Sequence, residues 1–335
     1  MKRFLFMTLC LVVTCISCSS DEGDSFAPDT ISSLETDFYT DGEIEVLFEN
    51  APDNGATMVF IGDGYIKEDL GKQFGTYRKD AIRYFDALFS IEPYASYKEH
   101  FNAVIVYAES EKRDINDLGE ENTTALGTVA YTSDNGRTFF DAEDDRGVPY
   151  YTSVTSQYTN VNFLIVVQNF SEGIATANSN FAYSGSQSTL TMVHEVAHSF
   201  GGLQDEYGSQ DSNDFPIDVS TAANLDSTGN VDVIKWNHFI GRPGYENVGA
   251  YEGGAYLVSG VWRPSFESIM RGGNSPEAKV FNAPSREAIV KKILNIRGIP
   301  YDFETFLEKD VAALRASTTE AFSEHDYVQC GLIVR

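Results

Sequence analysis

Two histidines four residues apart, with a glutamate beside the first, open the stretch His194-Glu195-Val-Ala-His198-Ser-Phe-Gly201-Gly202-Leu-Gln-Asp205-Glu206-Tyr207. An α-helix turns once in about 3.6 residues, so His194 and His198 stack on one face and can share a single metal ion. Glu195, one position round, can reach a metal-bound water and take its proton. The chemistry this implies is hydrolysis at a zinc ion, with Glu195 as general base. Two histidines do not complete such a site, because a catalytic zinc takes three protein ligands and leaves the fourth position to water. Asp205 follows a glycine pair where the chain can reverse, and it is the expected third ligand. Glu206 is its rival, and Glu252 and Glu267 are later carboxylates of the same chemistry. His238 could also ligate, although a solitary loop histidine more often does not. Tyr207 is placed to donate to an oxyanion or to support a ligand from behind.

These residues need a helix to carry them and a sheet to hold the helix. Leu190, Val193, Ala197 and Phe200 form an apolar stripe at helical spacing, Ser184, Ser186 and Ser188 offer caps before it, and Gly201-Gly202 supplies a left-handed stop. Upstream, residues 43–48 alternate as an edge strand does. Apolar runs at 57–61, 101–107, 126–132 and 161–167 read as strands, the first and last of them buried, and 174–183 reads as an edge strand. Leu70, Phe74, Tyr77, Ala81, Phe85 and Leu88 step by threes and fours, predicting one long helix over 67–89. Residues 114–124 and 141–158 read as irregular, with a turn at 134–136. Residues 208–275 show little periodicity and read as an assembly of functional loops. Helices are expected from Pro284 to Ile296, with Ile289, Ile293 and Ile296 inward, and over 302–316. The order of elements predicts an α/β (α+β) fold in which a mixed sheet lies between helices.

At 335 residues, 42 % of them hydrophobic and 13 % aromatic, the chain can bury a substantial core. Its start reads as a targeting segment. Lys2-Arg3 precedes an apolar run from Phe4 to Ile16, then Ser17-Cys18 and an abruptly acidic stretch. This resembles a bacterial lipoprotein signal over residues 1–17 with Cys18 as the lipidated residue. Cys15 is the second choice of site, and an ordinary cleaved signal peptide is the alternative. Residues 18–50 then form an acidic tether with an edge strand, and residues 51–335 the working domain. The product is an exported protein anchored at an outer membrane or cell surface, with no later segment apolar enough to span a bilayer. Once the signal is gone only Cys18 and Cys330 remain, so no disulfide framework is available. The net charge of −26 excludes nucleic acid as a partner, because phosphate would be repelled. Acidic clusters at 114–121 and 141–145 offer oxygen ligands to calcium, but neither has the spaced ligands of a calcium loop. No feature of the chain specifies an oligomer.

His194-Glu-x-x-His198 with Gly201 resembles the metzincin zinc peptidases, and Ser268-Ile-Met270-Arg271 resembles their Met-turn. The closer resemblance is to the IgA peptidase family of bacterial zinc metallopeptidases (family 64). Phe60-Ile-Gly-Asp-Gly-Tyr65, Leu203-Gln-Asp205-Glu206-Tyr207 and Gly249-Ala-Tyr-Glu-Gly-Gly-Ala-Tyr256, leading to Arg263-Pro264 and Met270, carry it over roughly residues 50–300. The resemblance implies a three-layer catalytic domain and a protein or glycoprotein substrate outside the cell. One departure is visible: where metzincins place a third histidine this chain has Gln204, with Asp205 one residue later. The expected activity is therefore that of a zinc-dependent endopeptidase. The alternatives are a catalytically degenerate zinc protein that binds host glycans or proteins and a purely structural lipoprotein. A retained Glu195 argues against the first, and the whole motif against the second.

Overall fold

The apolar runs pair as the backbone of one six-stranded mixed sheet. In the computed structural model, residues 35–117, 123–132, 138–141, 145–170, 175–178, 181–185, 189–211 and 218–316 are described. The lipidation and signal readings, Cys330, the 134–136 turn and the caps Ser186 and Ser188 lie outside them. In chain order the elements begin β1 (Ile44–Glu49), β2 (Ala56–Asp63), α1 (Tyr77–Ser90), β3 (Phe101–Val106), β4 (Asn116–Asp117), β5 (Val129–Thr132) and β6 (Thr138–Asp141). They continue with α2 (Val148–Thr155), β7 (Val161–Gln168), β8 (Ala175–Asn178), β9 (Phe181–Gly185), α3 (Thr189–Ser199) and β10 (Gly208–Gln210). β11 (Tyr251–Gly254), β12 (Tyr256–Arg263), α4 (Ala283–Ile296) and α5 (Phe303–Ala316) complete the order. The main sheet runs β1-β3-β2-β7-β9-β8, parallel from β3 to β9 with an antiparallel strand at either edge.

Strand alternation divides the core in two. Met58, Phe60, Ile105, Phe163 and Ile165 face one side, where they pack with Tyr84 and Leu88 of α1, Met192, Val193 and Val196 of α3, and Ile289 and Ile293 of α4. Val59, Ile61, Val104, Val106, Leu164 and Val166 face the other, against Val154 of α2, Tyr158 and Leu126. This is the expected helix–sheet–helix arrangement. Its central strands β2 and β3 are buried at every position because both faces are covered.

Several sequence expectations are corrected here. The helix predicted over 67–89 is a short 3-10 turn at Lys67–Leu70, a break, and then α1. The Gly75 N–H donates to the Gly71 carbonyl, and a β-carbon at Gly75 would lie 2.4 Å from that oxygen, so the chain turns where the apolar stripe continues. Phe74, expected inward, is 43 % exposed. The strand expected from Leu126 begins at Val129, because the Leu126 and Thr128 N–H groups are taken by the buried Asp63 carboxylate. Residues 141–158, read as irregular, hold α2; its β-branched composition gives no helical signal, and Val154 packing into the second core fixes it. Residues 174–183, read as one strand, are the antiparallel pair β8 and β9. In the loop-rich region after Tyr207, β10, β12 and β11 form a second, three-stranded sheet. Among the described residues no helix is long and apolar enough to cross a membrane.

Candidate metal centre

Helix α3 buries Met192, Val193, Val196 and Ala197 against the sheet and turns His194 and His198 to a common side. It ends as its glycines require. Gly202 adopts φ +65°, its N–H reaches the His198 carbonyl, and the Leu203 N–H reaches the Ala197 carbonyl at 3.1 Å. The first of these bonds is the αL closure of a helix end, and with the second it sends the chain back past the helix it has just left. The returning Leu203 carbonyl lies 2.8 Å from Nδ1 of His198, and the Ile269 carbonyl lies 2.9 Å from Nδ1 of His194. A carbonyl can only accept, so both Nδ1 atoms carry the proton and both Nε2 atoms present a lone pair when the rings are neutral.

Those lone pairs converge. The two Nε2 atoms are 3.0 Å apart, and Asp205 Oδ1 lies 3.0 Å from the first and 3.2 Å from the second. Asp205 Oδ1 is buried and has no hydrogen-bond partner. Three electron-rich atoms in such a triangle repel one another unless a positive charge lies among them. A tetrahedral zinc with bonds of about 2.0–2.1 Å sets its ligand atoms about 3.3 Å apart. The observed spacings fit that ion, and His194, His198 and Asp205 form the metal-capable cluster found among the described residues.

The electrostatics show the same demand for positive charge. Burial favours the neutral form of Asp205, yet the two imidazoles hold its carboxyl well below the usual range. Burial likewise favours a neutral His198, but the Asp205 and Glu195 carboxylates prevail and push it up to about 9. Burial raises Glu195, with the imidazoles opposing in part, which moves its carboxyl toward the range useful to a general base.

The other sequence candidates are placed as follows. Glu206, the rival ligand, is fully buried and points away from the triangle. It takes the Ser268 hydroxyl at 2.6 Å, the Asn224 amide at 2.9 Å, and the Asn282 amide at 2.8 and 3.0 Å. Its backbone N–H donates to the Met270 carbonyl. Asp205 reaches the imidazoles and Glu206 the Ser268, Asn224 and Asn282 side chains, so the two neighbours divide the work between them. His238 pairs with Glu287 on α4 at 3.1 Å, Glu252 is exposed and accepts from the Gly260 N–H, and Glu267 accepts from Ser275. None of these three belongs to the cluster. Met270 is fully buried in the main core, in a tight turn where the Arg271 and Gly272 N–H groups both donate to the Ser268 carbonyl. Tyr207 donates to the Tyr256 hydroxyl at 3.2 Å, and Tyr256 donates to Asp205 Oδ2 at 2.6 Å.

Tyr256, Asn224, Ser268 and Asn282 escaped the sequence reading as site residues. Asn224 gives no signal within its polar loop, although its side chain pairs with both backbone groups of Gln204. Asn282 reads as an ordinary helix cap, which it also is. Tyr256 and the preceding Ala255 lie in the left-handed region, at φ +68° and +51°, a conformation that costs a non-glycine residue roughly 1 kcal/mol or more and collects at functional sites.

A family model described as IgA Peptidase M64 matches residues 47–244, a span that contains both histidines, Glu195 and Asp205. That is more than half of the chain, and the protein belongs to this family and is a metallopeptidase. No curated protein matches the chain.

Proposed function

We propose that the protein is a zinc-dependent endopeptidase, exported and lipid-anchored through Cys18, that cleaves proteins or glycoproteins outside the cytoplasm. The observation that carries the catalytic part is the triangle of His194 Nε2, His198 Nε2 and Asp205 Oδ1, drawn to within 3.0–3.2 Å. His194, His198 and Asp205 would hold the ion. Zinc in such a setting supplies Lewis acidity toward a carbonyl oxygen and a water acidified to near neutral pH. Glu195, on the turn between the two histidines, takes the proton of the attacking water and delivers it to the leaving amine. The Ile269 and Leu203 carbonyls lock both imidazoles in the ligating tautomer. Ser268–Gly272 is the counterpart of a Met-turn, with Met270 supporting the backbone that carries the Ile269 carbonyl. The leader and Cys18 support the exported location, and the acidic surface supports a partner other than nucleic acid.

Glu195→Ala tests this reading. The variant is expected to keep its zinc and to lose cleavage of a peptide library by several orders of magnitude. Undiminished cleavage removes Glu195 from the mechanism, and a wild type without zinc removes the site.

A further inference from the structure

We propose that Tyr256 is the positioning residue of the third metal ligand: its hydroxyl seizes one oxygen of Asp205 so that the other is aimed at the two imidazoles. The inference rests on the metal-site reading above and goes beyond it by giving a role to Tyr256, on β12.

A free aspartate can turn about its last bond and present either oxygen, or both, to a cation. Asp205 is not free to do so. Oδ2 takes the Tyr256 hydroxyl at 2.6 Å, a short charge-assisted bond, while Oδ1 has no hydrogen-bond partner and lies 3.0 and 3.2 Å from the imidazole nitrogens. One oxygen is held and the other is left for the ion.

The backbone is built to bring that hydroxyl there. The Ala255 N–H donates to the carbonyl of Asp205 itself at 2.8 Å, and the Tyr256 N–H donates to the Tyr207 carbonyl at 2.9 Å. Tyr256 is thereby tied to the ligand loop at two points besides its hydroxyl. Both Ala255 and Tyr256 are held left-handed, although neither is glycine. The next residue of the ligand loop, Gly208, pairs with Tyr256 in a parallel register so close that a β-carbon there would lie 1.9 Å from the Leu257 carbonyl oxygen. The Tyr207 ring stands edge-on to Tyr256 at 5.1 Å and donates to its hydroxyl, which sharpens the onward bond to Asp205. Strain, close backbone approach and two aromatic side chains converge on one carboxylate oxygen. The small second sheet therefore acts as a clamp on the ligand loop.

Tyr256→Phe removes one oxygen from a partly exposed ring and keeps its packing. Zinc affinity of the full chain, measured by competition with a chromophoric chelator, is expected to weaken about 10- to 100-fold, the range for loss of a partner behind a metal ligand. The melting temperature of the metal-free variant is expected to fall by no more than a few degrees, the cost of one hydrogen bond to a buried carboxylate. Tyr207→Phe, which leaves the Asp205 bond in place, is expected to fall between wild type and Tyr256→Phe. Wild-type zinc affinity in Tyr256→Phe overturns the inference while leaving the metal site intact. A fall in metal-free stability without a fall in affinity overturns it in favour of a purely structural role. A wild type that binds no zinc overturns both the inference and the site.

Discussion

Replacing Glu206 separates a buried structural carboxylate from a metal ligand. Four hydrogen bonds from Ser268, Asn224 and Asn282 end on its two oxygens in a position with no exposure to solvent. Truncation in Glu206→Ala takes the acceptor from the Ser268 hydroxyl and from one N–H each of Asn224 and Asn282, whose amides keep only Gln204 and Ser265, at about 1–3 kcal/mol each, and opens a cavity besides. Relief of the buried charge offsets part of this, and the net loss is expected to be about 4–6 kcal/mol. In a chain of this size that corresponds to a fall in melting temperature on the order of 10 °C. Glu206→Gln is gentler. Its amide can donate to Ser268, whose hydroxyl can turn to accept, while Asn282 keeps the remaining oxygen, so a loss of about 1–2 kcal/mol is expected. In both variants the zinc bound per folded molecule is expected to match wild type, because Asp205 Oδ1 is untouched. Calorimetry of metal-free protein, paired with zinc titration, measures both quantities. Loss of zinc from Glu206→Gln with metal-free melting within about 1 °C of wild type would refute the assignment and make Glu206 the ligand.

Other positions yield shorter tests. Glu287 accepts from His238, Lys291 and Tyr301, and although burial alone would raise it, these partners hold it down at about 2. A depressed acid stabilises the fold above its unfolded value, near 4.5, and that stability is lost as pH falls toward 2. Glu287→Gln is therefore expected to cost about 2 kcal/mol at pH 7, after allowance for its half-exposed lysine partner, with the gap to wild type closing in urea melts between pH 4.5 and 2. Met270→Ala removes a fully buried side chain beneath the turn whose carbonyl meets His194, and is expected to lower stability by about 2–5 kcal/mol in denaturant titrations. Gly208→Ala would press a β-carbon into the Leu257 backbone, so a fall in soluble yield and weaker zinc binding are expected together. Zinc at about 100 times its dissociation constant is expected to stabilise the fold by about 2.7 kcal/mol, read as a rise in melting temperature that a chelator reverses.

The site was more legible in the sequence than the structure around it. His194, Glu195 and His198 follow from a helical period and a glycine stop, which are local and strong. Asp205 was visible as the nearest acid, but its choice over Glu206 depends on which of the two side chains faces the imidazoles, and that is set by Asn224, Ser268 and Asn282 from distant segments. The strands were readable because both faces of the sheet are covered, which makes the apolar runs continuous. The break between Leu70 and α1 was hidden because the helical stripe runs on through Phe74 while two glycines turn the backbone. α2 was hidden for the opposite reason, since only packing makes it a helix. Tyr256 belongs to the same class: its side chain matters because a strained loop delivers it to a residue about fifty positions earlier in the chain.

The central claim is that one cation sits among two imidazoles and one carboxylate. Anomalous diffraction collected on either side of the zinc absorption edge, from crystals of the protein grown with zinc, addresses it directly. The account predicts a single strong peak within bonding distance of His194 Nε2, His198 Nε2 and Asp205 Oδ1. A peak elsewhere, or one whose third protein neighbour is Glu206, would contradict it.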